Sequence, residues 1–227
     1  MMNEAMKARD TLISMEKRFY RRINKEKLDY YPTPPWVTRA LFRYVLGDFV
    51  YLNNTCWEPA CGNGHMSEVL TEQFKYVWSS DIVYYDYFPA GLTDFLNDDA
   101  PTPYQKDGID WIITNPPFNL AEEFILKALV RAKVGVAMFC RLQLLEGQHR
   151  YNHLFKDNPP WVVAPFVERA NIHKAKVERK TTSTIPFAWF VWDKTRSTKL
   201  GTKLCWIPPC KSLLEKDSDY DKRDDDK

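Results

Sequence analysis

Short apolar runs alternate with amphipathic stretches along most of the chain, which predicts strands alternating with helices. The predicted strands cover residues 55–58, 76–82, 91–96, 110–113, 134–140, 161–166, 187–193 and 203–208. The predicted helices cover residues 36–46, 66–74 and 120–133. The run at 134–140 is continuously apolar, as expected for a parallel strand that is buried on both faces. The pattern therefore predicts an open α/β sheet, in which ligands bind beyond the carboxyl ends of the strands.

The central predicted strand, residues 110–113, is followed directly by a loop that contains Asn115, Pro116, Pro117 and Phe118. Because proline lacks an N–H and keeps the residue before it out of the helical region, the strand must end in a stiff loop. The Asn115 side-chain oxygen and a proline carbonyl are two acceptors suited to a planar –NH2 group. Phe118 can stack on the ring that carries such an amine. The same four residues also form ordinary turns, so their meaning depends on the rest of the chain.

A glycine-containing turn follows the first predicted strand, which ends at Glu58. Gly62 and Gly64 precede a predicted helix, permit positive φ and allow a ligand to approach the backbone closely. No Lys-Ser or Lys-Thr pair follows these glycines, which excludes a phosphate-binding P-loop. Asp81 ends the next predicted strand, where an acid typically accepts hydrogen bonds from ribose hydroxyls. The alternative for Asp81 is an ordinary surface acid.

The composition of the 227-residue chain, with 44% hydrophobic and 27% charged residues, is typical of one folded domain. The net charge is only +2, so nucleic-acid binding requires a local basic face. No apolar run is long enough to span a membrane, and no signal peptide is visible. We therefore expect a cytoplasmic protein whose five cysteines are reduced thiols. The irregular spacing of the histidines predicts no metal site.

Two regions are rich in basic residues: residues 1–28, a predicted helical arm, and residues 143–180, where basic and aromatic side chains mix. Each is a solvated surface in the simplest interpretation, and each also suits contact with nucleic-acid phosphates. The candidate contacts are Arg141, His149, Arg150, Arg169, Lys174, Lys176, Arg179 and Lys180. Residues 208–227 are predicted to be a polar tail, either disordered or similar to an acidic epitope tag.

Taken in chain order, these segments resemble the S-adenosylmethionine-dependent DNA adenine amino-methyltransferases, and most closely the small stand-alone enzymes of phages and prophages. The resemblance covers residues 29–207. It rests on Thr33-Pro34, the loop from Glu58 to Gly64, Asp81, Asp94-Phe95 and the loop from Asn115 to Phe118. It implies a Rossmann-like, seven-stranded α/β sheet, mostly parallel with an antiparallel last strand and with helices on both faces.

The resemblance implies a role for each matched residue toward the cofactor, S-adenosylmethionine. The methionine part would be held by Thr33, Pro34, Glu58, Pro59, Ala60, Gly62 and Gly64, and Asn115 would also contact the cofactor. Asp81 would accept from the ribose, and Ile82 would pack on the cofactor adenine. Asp94 would bind the amine of that adenine, with Phe95 beside it.

The implied substrate is an adenine in DNA, flipped out of the duplex into a pocket formed by the loop from Asn115 to Phe118. Asn115 and the Pro116 carbonyl would hold the 6-amino group, and Phe118 would stack on the base. Residues 143–180 would be a small target-recognition insertion in a methyltransferase domain at 29–207. The same chemistry on RNA adenine or on a protein glutamine amide remains an alternative. A protein of another class, an inactive DNA-binding protein that masks sites, is also an alternative.

Overall fold

The computed structural model describes residues 29–48, 51–85, 87, 91–97, 108–172, 174, 177 and 184–220. The predicted basic arm at 1–28 lies outside the described residues, as do residues 221–227 of the predicted tail. Three of the candidate nucleic-acid contacts also lie outside the described residues: Lys176, Arg179 and Lys180.

The described strands form one mixed sheet in the order β3-β2-β1-β4-β5-β7-β6-β8. Their bounds are β1 Thr55–Glu58, β2 Tyr76–Asp81, β3 Gly91–Leu92, β4 Ile109–Thr114, β5 Ala132–Arg141, β6 Val162–Pro165, β7 Phe187–Asp193 and β8 Lys203–Leu204. All neighbouring strands run parallel except β7, which lies between β5 and β6 and is antiparallel to both. Each of the eight predicted strand segments therefore contains a strand, and the predicted α/β class is confirmed.

The sheet differs from the expected seven strands at its last strand. Residues 203–208 were expected to be a closing strand, plausibly antiparallel, but β8 has only two residues and pairs parallel with β6. Both of its residues are exposed at the sheet edge, and Pro208 and Pro209 follow soon after. Because proline cannot donate to a ladder, the pairing ends in an isolated bridge between Phe166 and Ile207. The antiparallel strand is thus β7 and not the last one.

Helices cover both faces of the sheet. Helix α1 (Pro35–Leu41) continues as a π-helical turn over Phe42–Leu46, and α2 spans His65–Thr71. A 3-10 turn at Phe118–Leu120 leads into α3 (Ala121–Arg131), and another covers Leu142–Leu145. Helix α4 (Gln148–Arg150) continues as a π-helical turn over Tyr151–Phe155. Helix α5 (Lys211–Leu214) and a 3-10 turn at Asp217–Tyr220 end the described chain.

Strand β4 shows why the central strands are apolar along their whole length. Trp111 and Ile113 belong to the core on one face, where α1 and α2 pack. Ile112 belongs to the core on the other face, with Phe124 and Ile125 of α3. Since side chains alternate between the faces of a strand, a sheet with helices on both sides needs apolar residues at every position.

Residues 208–220 pack on the domain, which corrects the prediction of a polar tail for this stretch. Cys210 is buried, and the N–H groups of Cys210 and Lys211 donate to Glu168 at 2.9 Å each. Asp219 is buried against Arg39 of α1. The acidic composition of this stretch suggested a solvated run, but a basic partner far away in the sequence holds it in place.

The five cysteines are free thiols, of which Cys205 is half-buried and the other four are buried. Among the described residues, no helix combines the length and the apolar character needed to cross a membrane.

Candidate active site

A cavity of about 410 Å³ lies outside the carboxyl ends of β1, β2 and β4. Strand order reverses between β1 and β4, which are neighbours in the sheet although β2 and β3 lie between them in the chain. In open α/β sheets this switch point leaves a crevice, because successive connections leave toward opposite faces. The cavity is therefore in the place that the strand pattern predicts.

The fold brings most of the predicted site residues to this cavity. Those that line it are Thr33, Glu58, Pro59, Ala60, Asp81, Ile82, Asp94, Phe95, Asn115 and Pro117. Five predicted residues do not line it: Pro34, Gly62, Gly64, Pro116 and Phe118. Pro34 instead caps α1, and the two glycines form the turn behind the cavity wall.

The Asn115 side chain is held in one orientation at the end of β4. Its Nδ2 donates to the Tyr31 carbonyl at 2.8 Å and to the Thr33 hydroxyl at 3.0 Å. Because a backbone carbonyl can only accept, the atom facing Tyr31 must be the nitrogen. The Oδ1 atom is buried and has no hydrogen-bond partner among the described residues. An acceptor that is oriented by the protein and left without a donor is suited to a ligand N–H.

The residues that orient Asn115 belong to the aromatic loop, residues 29–34, which also contacts the rest of the Asn-Pro-Pro-Phe loop. The Asp29 carboxylate accepts from the Phe118 N–H at 3.1 Å. The Tyr31 ring lies 4.8 Å from the Phe118 ring. The aromatic loop and the loop after β4 therefore form one hydrogen-bonded unit, although more than eighty residues separate them.

Phe118 does not line the cavity and packs against Arg141 at the end of β5. The guanidinium carbon lies 3.9 Å from the ring centroid, in a cation–π contact. Arg141 Nε is buried without a hydrogen-bond partner in the part of the chain that the structure describes. One face of Phe118 is thus covered, so a base that stacks on that face must displace Arg141.

The glycine turn is covered by tyrosine rings. Gly62 and Gly64 have φ values of 50° and 81°, which other residues adopt rarely. A Cβ atom on Gly62 would lie 2.3 Å from the Tyr30 ring, and one on Gly64 would lie 2.4 Å from the Tyr87 ring. The sequence suggested that these glycines allow a ligand to approach the backbone closely. In the structure, the space beside them is filled by the rings of Tyr30 and Tyr87 instead.

Asp81 binds the same turn through its carboxylate. Its Oδ2 accepts from the Gly62 N–H at 2.9 Å, and its Oδ1 accepts from the Val83 N–H at 3.1 Å. Both carboxylate oxygens are therefore engaged by backbone N–H groups of the turn and of the residue after Ile82. Asp81 thus both shapes the glycine turn and lines the cavity.

Glu58 is a buried acid at the carboxyl end of β1, with 2% of its surface exposed. The Ser67 hydroxyl donates to it, and the Ser79 hydroxyl lies 2.5 Å from that of Ser67. Burial raises the pKa of Glu58 well above its usual value, and the Asp81 charge adds to this, while the hydrogen bond from Ser67 opposes it. A bound cation would favour the ionised form of Glu58.

Asp94 and Phe95 form another part of the cavity wall. The Asp94 carboxylate accepts from the Leu96 N–H at 3.0 Å and from the Asn97 side-chain amide at 2.8 Å, which fixes a tight turn. Phe95 is 2% exposed and packs edge-on against Trp57. These contacts hold an acceptor and an apolar ring side by side at the cavity wall.

The predicted nucleic-acid contacts divide into two groups. Arg141 and Arg150 line a small depression beside Phe118, on the side away from the cavity. Arg150 donates to the carbonyls of Gln143 and Glu146, at 3.4 Å and 2.9 Å. Arg169 and Lys174 are exposed elsewhere, and His149 faces Glu122.

Sequence reasoning missed the residues that assemble the cavity wall. Tyr30 and Tyr85 line it with their rings stacked 4.5 Å apart, and Asp29 also lines it. The aromatic and proline-rich character of residues 29–36 was a visible signal for the first part of this wall. Tyr85 follows β2 in a polar, aromatic stretch that carries no pattern of its own.

Comparison with known proteins adds information on the fold. No protein-family model matches the chain, and no curated protein matches it. Among solved structures, the chain is similar to a modification subunit assigned to a type I restriction enzyme from Vibrio vulnificus, with a TM-score of 0.53 and 13% identity. The match covers 73% of this chain but only 45% of that one, so this chain spans less than half the length of that protein.

Two further similarities are more distant. A dimethyladenosine transferase from Plasmodium falciparum matches with a TM-score of 0.47, 13% identity and coverage of 72% of this chain and 63% of that one. A protein assigned as an RNA methyltransferase from Pyrococcus horikoshii matches with a TM-score of 0.49, 19% identity and coverage of 73% and 88%. At these identities the similarities concern the fold, and the first of them agrees with the predicted fold class.

Proposed function

We propose that the protein transfers a methyl group from S-adenosylmethionine to the exocyclic 6-amino group of adenine in DNA, with the base flipped into the pocket beside Asn115. The observation that carries this proposal is the Asn115 amide. Its nitrogen is fixed by Tyr31 and Thr33, and its oxygen is buried and without a partner among the described residues. That arrangement presents an acceptor to an –NH2 group and leaves no freedom for the amide to flip.

The cavity residues fit the cofactor. The cavity volume of about 410 Å³ lies within the range of roughly 300–1,000 Å³ for small-molecule sites. Glu58 would face the ammonium group, Asp81 the ribose hydroxyls, and Asp94 the amine of the cofactor adenine. Ile82 and Phe95 supply apolar surface for that adenine. When bound, S-adenosylmethionine supplies an electrophilic methyl group on a positively charged sulfur.

Asn115 would position the target amine together with the Pro116 carbonyl, although Pro116 is buried and does not line the cavity. The lone pair of an aromatic amine is delocalised into the ring, which makes the nitrogen a poor nucleophile. Two acceptors outside the ring plane pull the amine toward tetrahedral geometry and localise the lone pair toward the methyl group. This is catalysis by positioning and electrostatic stabilisation, so no general base is needed before methyl transfer.

Two arginines at and after the end of β5 support a nucleic acid as the substrate. Arg141 stacks on Phe118, and Arg150 lies in the same depression, so two guanidinium groups border the loop that would receive the base. Guanidinium groups bind phosphates and stack on bases. A base that enters from a duplex must be flipped out, which costs a few kcal/mol that stacking and pocket hydrogen bonds can offset.

The substrate is tested by methyl transfer from labelled S-adenosylmethionine to duplex DNA, RNA and cell protein in parallel. We expect 6-methylated adenine in DNA, identified by nucleoside mass spectrometry. If the label appears in RNA adenine or in a glutamine side chain, the proposed methyl transfer to an –NH2 group holds, but DNA is not the substrate. Cofactor binding without transfer to any acceptor would favour a site-masking DNA-binding protein.

The role of Asn115 is tested by Asn115→Ala. Loss of an oriented electrostatic group at a reacting centre costs on the order of 10²–10³-fold in kcat. We expect a loss of at least this size, with cofactor binding by calorimetry retained because Glu58, Asp81 and Asp94 are unchanged. Asn53→Ala is the matched control, since Asn53 is exposed in the turn before the amino end of β1. Loss of cofactor binding in Asn115→Ala would contradict the assignment.

A further inference from the structure

Two histidines and a glutamate meet on the surface beside the loop that contains Phe118. His149 and His153 are four residues apart on the continuous helical segment formed by α4 and the turn that follows, so they share one face. Their rings are stacked with centroids 4.0 Å apart. Glu122, in the first turn of α3, lies opposite them, with its Oε1 at 3.3 Å from His149 Nδ1.

The positions of the donor atoms suit a small cation. One nitrogen from each histidine and one carboxylate oxygen of Glu122 lie within 4.8 Å of one another. In a tetrahedral zinc site with bonds of about 2.0–2.1 Å, neighbouring ligand atoms are about 3.3 Å apart. The distance between Glu122 and His149 already has this value. The third candidate ligand, His153, is exposed, and its donor nitrogen lies within 4.8 Å of the other two.

The ligand types indicate which metals would bind. Imidazole nitrogens suit zinc, copper, iron and nickel, whereas magnesium and calcium prefer oxygen ligands. Two imidazoles and one carboxylate also leave a coordination position for water. The histidine spacing in the sequence predicted no metal site, because Glu122, which completes the group, lies 27 positions before His149.

We propose that Glu122, His149 and His153 bind a divalent transition-metal ion of the zinc type. The ion would link the segment from Gln148 to Phe155 to α3, which directly follows the Asn-Pro-Pro-Phe loop. The segment belongs to the predicted target-recognition insertion, and its residues facing the solvent include both histidines. The metal therefore holds this insertion at a fixed distance from the catalytic loop. The binding site itself does not depend on the proposed methyl transfer.

Calorimetric titration of the untagged protein with Zn²⁺ tests the site. We expect one ion per chain with micromolar or tighter affinity. The substitutions His149→Ala, His153→Ala and Glu122→Gln should each weaken binding by at least about 10-fold, since loss of even an outer partner of a metal ligand has an effect of this size. Asn152→Ala, at an exposed position between the two histidines, is the matched control and should bind like the wild type.

Cobalt(II) distinguishes this site from adventitious binding by cysteine. We expect a visible spectrum typical of nitrogen and oxygen ligands, without a thiolate charge-transfer band, and unchanged after Cys205, the half-buried thiol, is blocked. Circular dichroism of the metal-free variants checks that the exposed substitutions leave the fold intact. The proposal is overturned if Zn²⁺ does not bind at micromolar concentration. It is also overturned if stoichiometric binding persists in all three ligand variants.

Discussion

The Asn115 side-chain oxygen is one of five buried side-chain polar atoms without a hydrogen-bond partner among the described residues, and it belongs to a residue that lines the cavity. A buried polar atom without a partner costs about 1–3 kcal/mol relative to one that is bonded. Two hydrogen bonds to the amide nitrogen hold the side chain in this position. Such a cost is characteristic of a site that is completed by a ligand.

Glu58 leads to a prediction on stability and pH. Its pKa is raised in the folded state by burial, so above its ordinary value of 4.5 the folded protein holds a proton that the unfolded chain has lost. The contribution of Glu58 to stability is therefore highest at acidic pH and falls as the pH rises. In Glu58→Gln this pH-dependent contribution disappears, because the amide does not titrate.

The measurement is the midpoint of urea unfolding at about pH 5 and about pH 8, the interval in which a raised carboxyl pKa acts. The wild type should lose more stability over this interval than Glu58→Gln does. Glu146→Gln, the same change at an exposed position, should follow the wild type. Equal pH dependence in the wild type and Glu58→Gln would show that Glu58 is ionised in the folded protein.

The sequence was sufficient to nominate Asn115 and Glu58, because both follow predicted strands in recognisable contexts. It was not sufficient to orient them. The direction of the Asn115 amide depends on Tyr31 and Thr33, which lie 84 and 82 positions away. The protonation of Glu58 depends on burial by residues from several elements, and no local pattern records that burial.

At the scale of elements, the loops after β4 and β5 form one unit through Phe118 and Arg141. The aromatic ring and the guanidinium group come from adjacent parallel strands, and their carboxyl ends meet at the same edge of the sheet. The ring was predicted to stack on a base. The structure shows that Arg141 occupies one face of that ring, so a base can stack on that face only after Arg141 has moved.

Arg141→Ala should weaken DNA binding by about 10-fold, within the range for loss of one arginine contact. If the guanidinium also pairs with a phosphate, the slope of affinity against salt should decrease by about one unit. Cofactor binding should be unchanged, because Arg141 does not line the main cavity. Both quantities are measured by fluorescence anisotropy over a series of salt concentrations.

Arg43→Ala is the matched control, since Arg43 is an exposed arginine at the end of the helical segment that leads toward the amino end of β1. Its loss should change neither DNA affinity nor salt dependence. If Arg141→Ala binds DNA like the wild type, the depression beside Phe118 is not part of the nucleic-acid surface.

Element prediction worked best where the pattern was strong and local. Strand β7 was found to the residue, and β4 extends one residue beyond the prediction at each end. Strand β5 begins at Ala132, two residues earlier than predicted, so the helix predicted for 120–133 ends at Arg131 instead. Strand β8 was placed correctly but given the wrong direction. Its two exposed residues carry no alternation, and the direction of an edge strand is set by the connection that precedes it.

At the scale of the whole molecule, the last described residues bind to side chains at or near the two N-terminal described helices, α1 and α2. Arg39 of α1 binds both carboxylate oxygens of Asp219 at 2.8 Å and 2.9 Å and donates to the Leu214 carbonyl at 2.9 Å. Glu72, after α2, accepts from Arg39 at 3.2 Å and from Lys216 at 2.9 Å. This network, which we call the C-terminal clamp, joins three segments that are distant in the sequence.

Asp219→Ala should destabilise the protein by about 3 kcal/mol, toward the low end for removing one partner of a buried ion pair, because Glu72 still contacts Arg39. For a chain of this size that corresponds to a decrease in Tm of roughly 6–12 °C, measured by differential scanning calorimetry. Asp217→Ala, at an exposed position in the same turn, should have little effect. An unchanged Tm in Asp219→Ala would restore the interpretation of this stretch as a tail.

The clamp also shows the limit of prediction at this scale. The acidic residues near the C-terminus were interpreted from composition alone as solvated, and for Asp217 the structure agrees, since it is exposed. Asp219 is buried because Arg39 lies 180 positions earlier, and a long-range charge pair leaves no periodic signal. A mostly parallel sheet with helices on both faces was expected from the resemblance to a known family, whereas the packing of the C-terminal residues on α1 was not.

The aromatic loop has a consequence for how many methyl groups the proposed enzyme could add in one encounter with DNA. The loop walls the cofactor cavity through Tyr30 and holds Asn115 through Tyr31 and Thr33. An enzyme that exchanged spent cofactor by displacing this loop would also release the side chain that grips the target. Such an enzyme would loosen both sites after each transfer, and its methylation would be distributive instead of processive.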